Sequence, residues 1–303
     1  MRPDRRPFAG PDDLYRLQAF NSAAISAVGH AGYLHPGDIA HRLYNGQRWF
    51  DPEEVLFIYE GRGEIAAWVM VYPRLASFEL QIAPGRREPA WERELLGEAE
   101  AEAWAAIERH GTGKDELVID VFEGDAARVA AVRDLGWAQG TDGYVLTRAS
   151  LDPLPPIELE PGYSIRPAGG IVEAGEIAEL HSAGFGSEWT AEMYRKVMLS
   201  SGYDPTRELL VVAPDGSFAG FCVLWFDRAT GLGLFEPLAT HPDHRRIGVG
   251  RALLAAGMHE MKDARLDTAT VMYEEANPGS SALYRSLGFM PTWRILDWHK
   301  ARD

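Results

Sequence analysis

A chain of 303 residues that is 46% hydrophobic and 25% charged has the composition of a folded globular protein, and its length suits one large or two ordinary domains. No apolar run approaches the roughly 20 residues that span a bilayer. The formal net charge of −15 argues against a nucleic-acid partner, because phosphate neutralisation needs a basic surface.

In chain order, the pattern predicts an edge segment and then a helix starting near Pro11-Asp12-Asp13. Strands follow at 55–59, 64–72 and 78–82. A long helix over 90–107 puts Leu95, Leu96 and Ala103 on one face. A strand at 117–122, a helix at 126–135 and a strand at 144–148 complete a first unit, residues 1–150. Residues 151–162 form a linker whose Leu151-Asp-Pro-Leu-Pro-Pro156 run favours an extended, semi-rigid path. The second unit, residues 163–303, opens with a strand at Tyr163-Ser-Ile-Arg166-Pro167. Further on come a strand at 233–240, a helix at 251–261 and a strand at 268–273.

The two units echo one another. Asp51-Pro52 through Gly63 to Met70 resembles Asp204-Pro205 through Gly216 to Val223, each reading as strand, glycine turn, strand. Ala83-Pro84-Gly-Arg86-Arg87 echoes His241-Pro242-Asp-His244-Arg245, and Leu135-Gly136-Trp137 echoes Leu287-Gly288-Phe289.

Chemistry concentrates in the second unit. Thr240 to Leu254 reads T-H-P-D-H-R-R-I-G-V-G-R-A-L-L, a strand-to-helix turn with Gly248 and Gly250 in it. Such glycines let a backbone approach a ligand closely. The first helical N–H groups have no partner within the helix and favour an anion. The turn therefore reads as a phosphate or pyrophosphate site. It lacks the Gly-Lys-Ser/Thr of a Walker loop and the third glycine of a dinucleotide fingerprint.

The pattern Arg245-x-x-Gly248-x-Gly250 resembles the pyrophosphate loop of the GNAT superfamily of N-acyltransferases. Downstream, Asn277, Ala282, Leu283-Tyr284 and Leu287-Gly288-Phe289 resemble a second pattern of that superfamily, at its spacing. The resemblance implies two tandem α/β units, an α+β architecture in which each mixed, mostly antiparallel sheet is flanked by helices. It also implies acetyl-CoA, or another short acyl-CoA, as donor and a small-molecule amine as acceptor. Arg245, Arg246, Ile247, Gly248, Val249, Gly250 and Arg251 would then wrap the pyrophosphate, and Leu238-Ala239-Thr240 would bond the pantetheine arm like a neighbouring strand. Pro237 suits this, since a proline removes a ladder N–H and demands an edge, a splay or a bulge. Tyr284 is the expected acid for the leaving thiolate and Glu236 the expected base for the amine. Asn277 suits either a pantetheine bond or a helix cap. A non-catalytic acyl-CoA sensor is one alternative. The tandem length also resembles the mycothiol synthases, which acetylate a pseudodisaccharide thiol precursor.

The first unit diverges where this chemistry would sit. Aligned on the leucine pairs, it has Ala90 and Glu92 opposite Gly248 and Gly250, Asp125 opposite Asn277 and Val132 opposite Tyr284. A carboxylate would repel a phosphate and Pro89 removes a donor, so this unit is expected to be a structural partner. No metal is expected, because His241 and His244 lack companions at ligand spacing. The aromatics Trp189, Tyr194, Tyr203, Trp225, Tyr273, Trp293 and Trp298 are candidates for an acceptor pocket, each more simply read as core. The one cysteine, Cys222, reads as core and leaves no internal disulfide. With no apolar stretch behind the basic N-terminus, a cytoplasmic location is expected, as a monomer or homodimer.

Overall fold

The computed structural model describes residues 2–46 and 49–302. The first half runs β1 (Asp4–Pro7), α1 (Pro11–Val28), α2 (Pro36–Gly46), α3 (Pro52–Val55), β2 (Leu56–Gly61), β3 (Glu64–Tyr72), β4 (Ser77–Ile82), α4 (Pro89–Arg109), β5 (Glu116–Phe122), α5 (Ala126–Asp134) and β6 (Ala138–Ser150). The second half runs β7 (Ser164–Pro167), α6 (Ala174–Phe185), α7 (Ala191–Met198), β8 (Glu208–Val212), β9 (Phe218–Asp227), β10 (Leu232–Thr240), α8 (Val249–Asp263), β11 (Thr268–Glu274), α9 (Pro278–Arg285) and β12 (Met290–Ala301). Helix starts follow the sequence signals: Pro stands in the first turn of α1, α3, α4 and α9, and Thr190 and Asn277 cap α7 and α9 through their side chains.

The strands form a four-stranded sheet, β1-β2-β3-β4, and an eight-stranded sheet, β5-β12-β6-β11-β10-β9-β8-β7. Architecture is thus mixed α/β with mostly antiparallel sheets, as the family resemblance implied. The sheets do not divide at the proline-rich linker, however. Strand β6 of the first half pairs with β11 of the second along Tyr144–Ser150, and β12 of the second half pairs with β5 of the first. Each half lends its latest strand to the other's sheet, and the two lent strands pair together at the centre.

Packing also crosses the repeat. One core joins Leu14, Leu17, Ile39 and Trp68 of the first half to Ile177, Tyr194, Phe221 and Trp225 of the second. Gly37 marks the closest approach: a Cβ there would lie 2.2 Å from the Cβ of Trp225, so only glycine lets α2 settle on β9. Of the aromatic candidates, Trp189, Tyr194, Trp225 and Trp298 are core residues.

Candidate active site

The seam between β10 and β11 is the parallel pairing among the described strands, and it is short. It runs only from Leu232–Leu234 against Thr268–Thr270. Beyond it the strands part. Leu238, Ala239 and Thr240 remain paired on the β9 side, to Cys222, Phe221 and Gly220, and the register shifts between Phe235 and Leu238, around Pro237. Pro237 thus coincides with both a bulge and a splay, the two outcomes its missing N–H requires. The β11 side of residues 238–240 keeps its backbone groups unpaired with any strand.

Past Thr240 the chain makes one 3-10 turn, Pro242–His244, and enters α8. Arg246 and Gly248 both take positive φ, 66° and 90°, which turns the backbone back over the helix start. Gly248 is the N-cap and brings no side-chain cap, so nothing of its own covers the first N–H groups of α8. A Cβ on Gly248 would meet open space, whereas one on Gly250 would come within 3.3 Å of Leu283 and 3.5 Å of Thr240. Arg245 donates to the Gly184 carbonyl at 3.0 Å, and Arg251 bonds the Ser286 hydroxyl at 2.7 Å. The Arg251 side chain is therefore tied to the end of α9, leaving its backbone N–H at the helix start. Asn277 accepts from the Ser280 N–H at 3.1 Å, the helix cap that was one of its two readings. His244 hydrogen-bonds the Tyr163 hydroxyl at 2.9 Å, and among the described residues no group of three or more His, Cys, Asp or Glu could hold a metal ion.

The opened seam leads into a cavity of about 630 Å³. Glu236, Leu238, Asn277 and Tyr284 line it from the second half. Its opposite wall comes from the first half and includes Asp38, His41 and Arg42 of α2, Tyr72 of β3, Asp120 of β5 and Tyr144 of β6. Glu236 is 28% exposed, and its Oε1 lies 3.5 Å from His41 Nε2. Burial pushes its carboxyl up to about 8, with Asp38 adding to the shift and Arg42 opposing it. Tyr284 is 6% exposed, with its ring 5.6 Å from that of Tyr273. Burial, reinforced by the nearby Glu236 charge, raises its phenol, so it stays protonated across the working pH range.

The wall supplied by α2 escaped the sequence reading, although Pro36 and Asp38 are a helix-start signal, with a proline and an acid in the first turn. That Asp120 and Tyr144 would face Glu236 followed only from the strand exchange. Of the aromatic candidates, Tyr273 reaches the cavity; Trp49, Phe50, Tyr72, Tyr144 and Phe185 do so without having been singled out.

In the first half, the matching place is closed. Counted from the N-caps, Glu88 stands where Gly248 stands, and Glu92 where Ala252 does. Helix α4 begins two residues nearer Arg87 than α8 does to Arg245, but the buried faces, Leu95, Leu96, Ala99 and Ala103 against Leu253, Leu254, Gly257 and Met261, keep the leucine-pair alignment and set Glu92 opposite Gly250. Arg87 donates to Glu92 at 2.7 and 2.9 Å and to Asp125 at 2.9 Å through both terminal nitrogens. Arg128 donates to Glu92 at 2.6 Å. Burial alone would raise the Glu92 carboxyl, but Arg128 and Arg87 outweigh it and hold it at about 2.

Comparison with known proteins agrees with this geometry. The acetyltransferase (GNAT) family matches residues 174–289. A mycothiol acetyltransferase of Kineococcus radiotolerans is 30% identical over 219 residues, covering 70% of this chain and 68% of that one. A GCN5-related N-acetyltransferase from Sphaerobacter thermophilus has the same fold, with a TM-score of 0.66 at 18% identity over 98% of this chain and 95% of that one. A tandem GNAT protein from the clavulanic acid biosynthesis pathway does so with a TM-score of 0.63 at 17% identity, over 98% of both chains.

Proposed function

We propose that this chain, which belongs to the GNAT acetyltransferase family, carries an acetyl group from acetyl-CoA to a small-molecule amine in the cavity between its halves. The family makes it an acyl-CoA-dependent N-acyltransferase. The observation that carries the finer reading is the single cavity running from the opened β10–β11 seam to both Glu236 and Tyr284.

The residues suit the donor. The start of α8 offers uncapped N–H groups, with open space over Gly248, for a diphosphate. The unpaired side of residues 238–240 suits an extended pantetheine arm. When bound, acetyl-CoA supplies the thioester carbonyl. A backbone N–H near Leu238 would donate to its oxygen as negative charge develops. Glu236, held near neutrality by burial, takes one proton from the acceptor ammonium. Tyr284 passes its phenol proton to the departing sulfur as the N–C bond forms and the C–S bond breaks. The second nitrogen proton, lost as the amide forms, restores the phenol.

A second reading, acetylation of a mycothiol precursor, is supported by the relative of that name at 30% identity. One experiment tests both: thiol release from acetyl-CoA over a panel of amines that includes the mycothiol precursor, with calorimetry of CoA binding alongside. Turnover with any member supports transfer. CoA binding without turnover on the whole panel turns the reading to an acyl-CoA sensor.

A further inference from the structure

The far wall of the cavity holds a carboxylate that the transfer chemistry does not use. Asp120 on β5 is exposed to the cavity and makes no hydrogen bond or ion pair among the described residues. The cation nearest in the wall, Arg42, is already engaged by Asp38 at 2.9 Å. Directly across the β5–β12 pair stands Asp297. It is 8% exposed, its Oδ2 meets His299 at 2.7 Å, and its Oδ1 is buried with no hydrogen-bond partner. Like charges placed opposite one another across a strand pair are destabilising, and an unpaired buried carboxylate oxygen costs more. An ammonium bound at Asp120 from the cavity would offset the repulsion across the pair.

The distance from this pair to Glu236 is set by the sheet. Strand β5 and strand β10 are four steps apart in the order β5-β12-β6-β11-β10. At about 4.8 Å per step, that is roughly 19 Å across the strands, widened where β10 and β11 part and shortened by inward-leaning side chains and curvature. Tyr144 lines the cavity from the central strand, β6, and its phenol is raised by burial and by both Asp120 and Glu236. Aromatic rings of Trp49, Tyr72 and Phe185 line the same cavity, and such faces attract cations.

We propose that the acceptor is an elongated diamine or polyamine, whose reacting nitrogen lies at Glu236 and whose far ammonium is held by Asp120 backed by Asp297. This rests on the amine-acetylation reading. The far ammonium keeps its protons and takes no part in the transfer. It selects and orients the substrate.

The test compares 1,8-diaminooctane with n-octylamine, and 1,4-diaminobutane with n-butylamine, in acetyl-CoA thiol release. Calorimetry of 1,8-diaminooctane on the protein alone gives a readout independent of turnover. A hydrogen-bonded charge predicts a kcat/KM for the long diamine about ten- to a hundredfold above its monoamine, with a smaller margin for the short pair. Asp120→Asn and Asp297→Asn should each cut that margin through KM and weaken the calorimetric diamine signal. Equal kcat/KM for the long pair, or a margin that survives both substitutions, overturns the proposal. If no amine is acetylated, the transfer reading falls; calorimetric diamine binding that depends on Asp120 would still support the cation site, and its absence would remove that too. Melting temperatures no lower than wild type for both variants exclude unfolding as the cause.

Discussion

The N-termini of α4 and α8 occupy matching places in the two halves, and they treat the same electrostatic problem in opposite ways. Both helices follow a 3-10 turn that ends near an arginine, Arg87 or Arg245. At α4 the loop is short, and the chain answers the helix's need for negative charge with its own Glu92, clamped by Arg87 and Arg128. At α8 two more residues and a positive-φ glycine keep the helix start open, and no acidic residue stands in its first turn. Loss of an anion site is therefore more than decay of a motif. An internal carboxylate has taken the place a ligand would fill, and the arginine that could have met a phosphate now serves the fold.

The largest expected effect bears on the open half. Glu236→Gln should lower kcat/KM on the order of 10³-fold, within the range of general-base contributions. It should also remove the rise of rate with pH towards about 8 that is expected of the wild type in a pH–rate profile. On the closed half, Glu92→Ala leaves the buried Arg128 guanidinium without its carboxylate and Arg87 with Asp125 alone. A loss of roughly 3–5 kcal/mol in a denaturant titration is expected, with no change in CoA affinity. If CoA affinity changes as well, the halves are less distinct than their loops.

Converting one half towards the other is the sharper test. Gly250→Asp places a carboxylate at the α8 start and should weaken CoA binding about 10²-fold in calorimetry, the scale of like charges a few ångströms apart near a surface. Wild-type protein should bind one CoA per chain in the same measurement, and two would contradict the closed α4 site. Tyr284→Phe preserves the packing against Tyr273 and Phe289 and should cost up to about 10²-fold in kcat.

The smallest effects concern pH and stability, and they run in opposite senses. Glu92 has a depressed carboxyl, so the stability it contributes is present above about 4.5 and is lost as pH falls towards about 2. Glu236 has a raised carboxyl, so the folded state loses stability as pH rises from about 4.5 to about 8. Melting curves of Glu236→Gln should gain on wild type more at pH 8 than at pH 5.

The second half's site was legible in the sequence because its parts are local. A glycine turn, a proline in a strand and an asparagine cap each act within a few residues, and the loop and cap stand where the spacing put them. The cavity's far wall was not legible, because Asp38, Asp120 and Tyr144 come to share a cavity with Glu236 only through pairings between distant strands and the docking of α2 on Trp225. The closed site was half legible: Glu92 and Asp125 stood out, but the earlier start of α4 and the turn of Arg87 and Arg128 onto Glu92 could be read only from the fold.

The lent strands have a consequence for handling the molecule. Because β6 is gripped by β11 and β12 by β5, the halves are joined like clasped hands rather than like beads on a string. Nicking the backbone at the proline-rich connector would leave two fragments that each expose a raw sheet margin and carry a strand the other needs. Mixed together, they have every pairing required to knit into a working whole; kept apart, each is a candidate for sticking to its own kind.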